Sequence, residues 1–164
     1  MERRTWFRRS PYKREVERMF LGQYDHTIDE KGRLTIPARF REQLGESAFI
    51  TQGLDQNLVV LPESMFNQMY QKVNETSYTD SQARMFRRVF FARAVHTEFD
   101  KTGRILIPQY LRDANGLNGD AVVVGVGDYF EVWSREHWHL QEQDLDNAEA
   151  NQQRFAGLNL SFHA

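Results

Sequence analysis

The chain has 164 residues, 40% hydrophobic and 13% aromatic, so it carries enough apolar surface for a core and is not a disordered polar chain. It has no cysteine, which excludes disulfide stapling and thiolate zinc sites, and no apolar run approaches the ~20 residues of a membrane span. The net charge of −2 hides a polarity: residues 1–18 hold seven basic and three acidic side chains, the rest 14 basic and 20 acidic, so any polyanion must meet a local basic surface. The opening segment MERRTWFRRSPYKREVERMF is basic but has no apolar h-region, so it is not a secretory signal. Two readings of residues 1–18 stand open: Met19 is the natural start, or the segment is a basic arm that tracks phosphates. A soluble, cytoplasmic protein is expected.

The chain then repeats itself. DEKGRLTIP at 29–37 returns as DKTGRILIP at 100–108, with Asp29/Asp100, Gly32/Gly103, Arg33/Arg104, Ile36/Ile107 and Pro37/Pro108 identical. The match extends to Arg41/Arg112 and Gly45/Gly116, and each copy ends in a β-rich run. In the first copy an extended run from Phe20 to Ile28 leads into Asp-Glu-Lys-Gly, the composition of a hairpin tip whose glycine supplies a positive φ. Leu34 and Ile36 then alternate with Arg33 and Thr35 at the period of a half-buried strand. Pro37 ends that strand and suits the first turn of a helix; Phe40 and Leu44 make the helix amphipathic, and Gly45 stops it. Strands follow near Phe49–Gln52 and Leu58–Leu61, and the second copy repeats the scheme through Leu111, Val122–Val124 and Phe130–Trp133. Each copy therefore reads β-β-α-β-β.

Between the copies, Met65, Phe66, Met69, Tyr70 and Val73, and then Met85, Phe86, Val89 and Phe90, fall at helical spacing and predict an αα-hairpin with its break at Thr76–Thr79. After the second copy, residues 134–160 read as one helix followed by a loose end. The expected division is a basic extension (1–18), a first repeat (19–70), a helical connector (71–90), a second repeat (91–140) and a C-terminal helix and tail (141–164). A lone copy is too small to bury its apolar faces well, so the two should share one core as an internal pseudo-dimer.

FLGQYDHTIDEKGRLTIPARFREQL from Phe20, together with the second FDKTGRILIP, resembles the MraZ family of bacterial transcriptional regulators, tandem relatives of AbrB/MazE-type swapped-hairpin DNA-binding domains. The resemblance covers residues 19–160. It implies a mainly β fold with helices (α+β), a double-split β-barrel built from the two AbrB-like repeats. It also implies a ring-shaped homo-oligomer that represses, from promoter repeats, the division and cell-wall gene cluster that includes its own gene, and is nucleoid-associated. The family's D-x-x-G-R loops contact double-stranded DNA. The matching positions here are Arg33 and Arg104 with Gly32 and Gly103, and beside them Lys31 and Lys101, which differ by one place in register. An arginine on a hairpin tip can bond guanine O6 and N7 in the major groove, while a neighbouring lysine touches phosphate. Asp29 and Asp100 repel an anionic ligand and are assigned to holding the turn or fixing the arginine; Pro37 and Pro108 structure the loop's far side.

No catalytic activity, cofactor or metal is expected. G-x-S-x-G, P-loop and H-E-x-x-H motifs are missing, and His137 and His139, two apart, diverge on a helix. The arginines Arg84, Arg87, Arg88 and Arg93 either face DNA or pair with acids such as Glu136, Glu142 or Asp144 across a subunit interface. The competing reading of the whole is an oligomeric scaffold or antitoxin-like module whose loops grip a protein.

Overall fold

Both copies take the element order that the pattern requires, and each pairs its strands with those of the other. A computed structural model describes residues 17–161, so the basic segment lies almost wholly outside the described residues. The first repeat runs β1 (Phe20–Thr27), β2 (Arg33–Thr35), α1 (Ala38–Leu44), β3 (Ser47–Gln52) and β4 (Leu58–Leu61). A helix pair follows, α2 (Glu63–Asn74) and α3 (Ser81–Phe90). The second repeat runs β5 (Val95–Glu98), β6 (Arg104–Leu106), α4 (Gln109–Ala114), β7 (Asp120–Gly127) and β8 (Phe130–Ser134). It too is followed by a helix pair, α5 (Arg135–Leu145) and α6 (Ala148–Phe155).

The fold is α+β, as expected. Six strands pair antiparallel in the order β1-β7-β8-β4-β3-β5, and β2 pairs with β6 in a separate two-stranded ribbon. The order shows an exchange. The first strand of each repeat pairs with the third strand of the other: β1 with β7 through Phe20↔Gly127 to Thr27↔Asp120, and β5 with β3 through Glu98↔Ser47 to Val95↔Ile50. β4 meets β8 at the centre, so the two repeats are related by an internal two-fold.

Alternation along the strands sorts their side chains onto two faces. The inner face gives Ala48, Ile50, Leu58, Val60, Ala121, Val123, Phe130 and Val132 to one core, closed by Leu34, Ile36, Ile105 and Ile107 of the ribbon and by Phe40 and Leu111 of the short helices. Phe20, Phe40 and Phe130 meet there with ring centroids 5.1–5.4 Å apart. Both repeats feed this core, which is the shared interior that copies of this size need. The outer face is covered separately at its two halves. α2 and α3 cover Val59, Leu61 and Phe49 with Phe66, Phe86 and Phe90, and α5 covers Val122, Val124 and Trp133 with Trp138. The ribbon and the helix pairs thus lie on opposite faces of the sheet.

Local chemistry sets the helix ends. Pro37, Pro62 and Pro108 stand at three N-caps, where a missing N–H costs nothing. The Asp80 side chain accepts from the amides of Gln82 and Ala83, which starts α3 after the expected break. The C-terminal segment differs from the expectation of one helix. The Asn147 side chain accepts from the Ala150 amide and starts α6 anew, so residues 135–155 form two helices broken at Asp146–Asn147.

Candidate nucleic-acid interface

Each D-x-x-G-R segment is a hairpin tip of one design. The Gly32 amide donates to the Asp29 carbonyl (2.9 Å) and the Asp29 amide to the Arg33 carbonyl (3.0 Å); Gly103, Asp100 and Arg104 repeat this at 3.0 and 2.9 Å. A four-residue turn closed by a left-handed residue is the result, and Gly32 (φ +85°) and Gly103 (φ +78°) fill that position.

Each aspartate is consumed by its own loop. Asp29 Oδ1 accepts the amides of Lys31 (3.0 Å) and Arg33 (2.9 Å), while Oδ2 takes Arg33 Nε at 2.7 Å. Asp100 Oδ1 accepts the amides of Thr102 and Arg104, both at 2.9 Å, and the Thr102 hydroxyl at 3.0 Å, and Oδ2 takes Arg104 Nε at 2.7 Å. The arginine's own amide and then its guanidinium hold both carboxyl groups below the usual carboxylate range, so both are ionised at neutral pH. The anchor uses Nε and so does not consume the terminal amino groups of the guanidinium. On any guanidinium those groups can bond a carboxylate, a phosphate or a base edge as a fork.

The ribbon brings the two tips together. Arg33 lies opposite Leu106, and Thr35 opposite Arg104, so both arginines stand on one short ribbon. Arg104 Nη1 comes to 3.8 Å of Asp29 Oδ2 across the repeats. The arginine side chains are about one-third exposed (33% and 29%), and Lys31 and Lys101 are exposed at the two apices. Beneath them the loops are cross-braced: the Ile107 amide donates to the Gly32 carbonyl (2.8 Å) and the Ile36 amide to the Gly103 carbonyl (3.1 Å).

Three participants had no role from sequence. Arg112 donates through Nε to the Ile107 carbonyl (3.0 Å) and lies where a Cβ on Gly32 would point; Arg41 donates to the Ile36 carbonyl (3.1 Å) and sits likewise against Gly103. Each arginine therefore supports the other repeat's tip. Their matching offset from the two prolines was visible, but only the pairing of β2 with β6 gives it meaning. Thr102 has no counterpart at Lys31, so the tips are not identical. Pro37 and Pro108 stand at the entry to α1 and α4, and their carbonyls accept the amides of Arg41 and Arg112 at 3.1 Å.

Elsewhere, Arg84 donates to the Tyr78 carbonyl and Arg87 to the Val73 carbonyl, both within the α2–α3 pair. Among the described residues no group of three or more histidines, aspartates or glutamates is placed to hold a metal, and no helix is long and apolar enough to cross a membrane.

The comparisons with known proteins agree with this two-part build. The family model described as "MraZ protein, putative antitoxin-like" matches twice, over residues 19–89 and 90–158. Each match takes in one repeat together with the helix pair after it. A protein of Moorella thermoacetica called "Transcriptional regulator MraZ" is 50% identical over 120 residues, 73% of this chain and 84% of its own. Proteins of the same description from Carboxydothermus hydrogenoformans and Thermomicrobium roseum are each 47% identical, over 74% and 77% of this chain and 85% and 89% of theirs. With both halves matched by one family model and this identity over most of its length, the chain belongs to the MraZ family.

Proposed function

We propose that this chain is a DNA-binding transcriptional regulator that reads double-stranded promoter repeats with its two D-x-x-G-R tips, and that it represses the division and cell-wall gene cluster carrying its own gene. The description of its relatives as transcriptional regulators supports the general role. The observation that carries the residue-level reading is the diagonal placement of Arg33 and Arg104 on one face of the β2–β6 ribbon, each held at Nε by its own aspartate. A two-stranded ribbon fits a major groove about 12 Å wide, and an anchored guanidinium enters it without first losing rotamer freedom.

Charge limits what one chain can do. The tips carry Lys31, Arg33, Lys101 and Arg104 against Asp29, Glu30 and Asp100, so attraction to phosphate is weak for each pair of tips. Several chains in a ring over regularly spaced repeats would turn weak contacts into tight binding by raising effective concentration. The oligomer is thus part of the proposed mechanism, as is a place on the nucleoid.

The test is a gel shift with the fragment upstream of the gene. Arg33→Ala and Arg104→Ala should each weaken binding by about 5- to 150-fold, the ~1–3 kcal/mol of one bidentate base contact. Wild-type affinity should fall steeply with salt, by about 0.9 in log–log slope per phosphate contacted. Unchanged affinity in both variants defeats the assignment of the tips. Capture of a protein instead of DNA by intact tips would favour the antitoxin-like scaffold.

A further inference from the structure

The two helix pairs follow equivalent strands and cover equivalent halves of the outer face, yet their charges are opposite. Residues 81–93, which include α3, hold Arg84, Arg87, Arg88 and Arg93 and no acid. Residues 135–155, α5 and α6, hold Glu136, Glu142, Asp144, Asp146 and Glu149 against only Arg135 and Arg154. Both of those arginines are already paired within the chain, Arg135 with Asp25 and Arg154 with Asp144, each at 2.5 Å. Arg88 and Arg93 form no ion pair among the described residues.

Each charged surface also carries unpartnered apolar side chains. Met85 is 56% exposed beside Arg84 and Arg88, and Tyr70 and Tyr78 of the same α2–α3 segment are 52% and 80% exposed. On the acidic side Leu140 and Leu145 are 58% and 44% exposed, and Phe155, Leu158 and Leu160 lie open beyond them. α6 buries none of its residues. An eight-residue helix is too short to be stable alone in water, and bonds from Asn151 and Arg154 to the end of α5 hold this one while leaving its apolar side chains without a packed face among the described residues.

We propose that the α5–α6 pair of one copy docks on the α2–α3 pair of a second copy, with Leu140 and Leu145 against Met85 and Glu136 and Glu142 among the arginines of α3. This rests on the oligomer in the proposed function and names its contact surface. The geometry makes the contact heterologous. One copy offers a basic and an acidic half related by its internal two-fold, so each junction leaves a basic half at one end and an acidic half at the other, and copies add head to tail, in the manner of a ring whenever the rotation at each junction closes. Because the helix pairs lie on the sheet face opposite the ribbon, such junctions leave the D-x-x-G-R tips uncovered.

Charge reversal tests this. One variant carries Arg84→Glu and Arg88→Glu; the other carries Glu136→Arg and Glu142→Arg. The full-length wild type should be oligomeric by size exclusion with light scattering at micromolar concentration. Each variant, shown folded by circular dichroism, should shift to monomer. An equimolar mixture should recover the wild-type mass, since every junction can then pair opposite charges if the two variants alternate. Wild-type mass in either reversal variant alone, or no recovery on mixing, overturns the assignment of this surface while leaving the oligomer standing. A monomeric wild type overturns both. Binding of each monomeric variant to a duplex with a single repeat should stay within about threefold of the wild type's, because the tips are unaltered. A larger loss would place α3 or α5 on the DNA and overturn the docking surface.

Discussion

Gly32→Ala measures how tightly the two repeats are locked at the tips. A Cβ on Gly32 would lie 2.8 Å from Arg112 Nε and 2.9 Å from the Ile107 carbonyl oxygen, and the backbone there has φ +85°. The left-handed conformation alone costs an alanine about 1–2 kcal/mol. Relieving the backbone clash must move Ile107, which donates to the Gly32 carbonyl (2.8 Å) and accepts from Arg112 (3.0 Å). Weakening those two bonds adds about 0.5–1.5 kcal/mol each. The total is roughly 2–5 kcal/mol, or about 4–20 °C in Tm for a chain of this size. Gly116→Ala supplies the comparison. It shares a positive φ (+65°), but its Cβ would meet only His137 Cε1 at an ordinary 3.5 Å. Strain alone remains, about 1–2 kcal/mol, and the entropy that any Gly→Ala change removes from the unfolded chain cancels between the two. Thermal melts at one protein concentration, followed by circular dichroism, should place Gly32→Ala clearly below Gly116→Ala. If the two melt within about 2 °C of each other, the cross-brace between the Gly32 turn and α4 contributes nothing.

Other expectations follow from the same geometry. Leu34 and Ile105 are opposed on the ribbon and wholly buried, so Leu34→Ala should cost about 2–5 kcal/mol in urea unfolding and lower the melting of both halves together in one transition. Asp29 and Asp100 have depressed carboxyl pKa values, so their stabilising contribution is present above the unfolded carboxylate value of about 3.9 and is lost as pH falls through the folded values. Asp100→Asn should therefore lower Tm at pH 7 and flatten the acid-side fall below about pH 4, and an undiminished fall would remove Asp100 as its source. Glu131 behaves oppositely. Burial, then Asp55, raises its pKa, so the folded state holds the proton more tightly and stability falls as pH rises above the unfolded value of about 4.3. Glu131→Gln, which can still accept from Asn57, should raise Tm at pH 7 and converge on wild type near pH 4.

Much of this architecture is legible because its signals are local. The period-2 alternation of Leu34 and Ile36, the prolines that open α1 and α4, and the D-x-x-G composition of the tips each act within a few residues. The arrangement of Arg41 and Arg112 is not local. Their role depends on β2 pairing with β6, a contact across 71 positions of sequence that no periodicity encodes. The C-terminal break is hidden for a different reason. Asn147 is a good cap, but the polar run around it keeps helical composition on both sides, so propensity alone does not separate α5 from α6. The same limit hid the equivalence of the two helix pairs. Their sequences share charge density but not sign, and only their common position after β4 and β8 shows that the repeat continues into them.

The exchange of first strands has a consequence for symmetry. Two identical half-chains joined in this way would present identical tips and be matched to a palindrome. Here both halves travel on one polypeptide, so they have been free to diverge, and Glu30-Lys31 at one apex now stands against Lys101-Thr102 at the other. A tethered pair of unlike fingers has a front and a back, and under the proposed function a duplex lying across both would be gripped in one direction only.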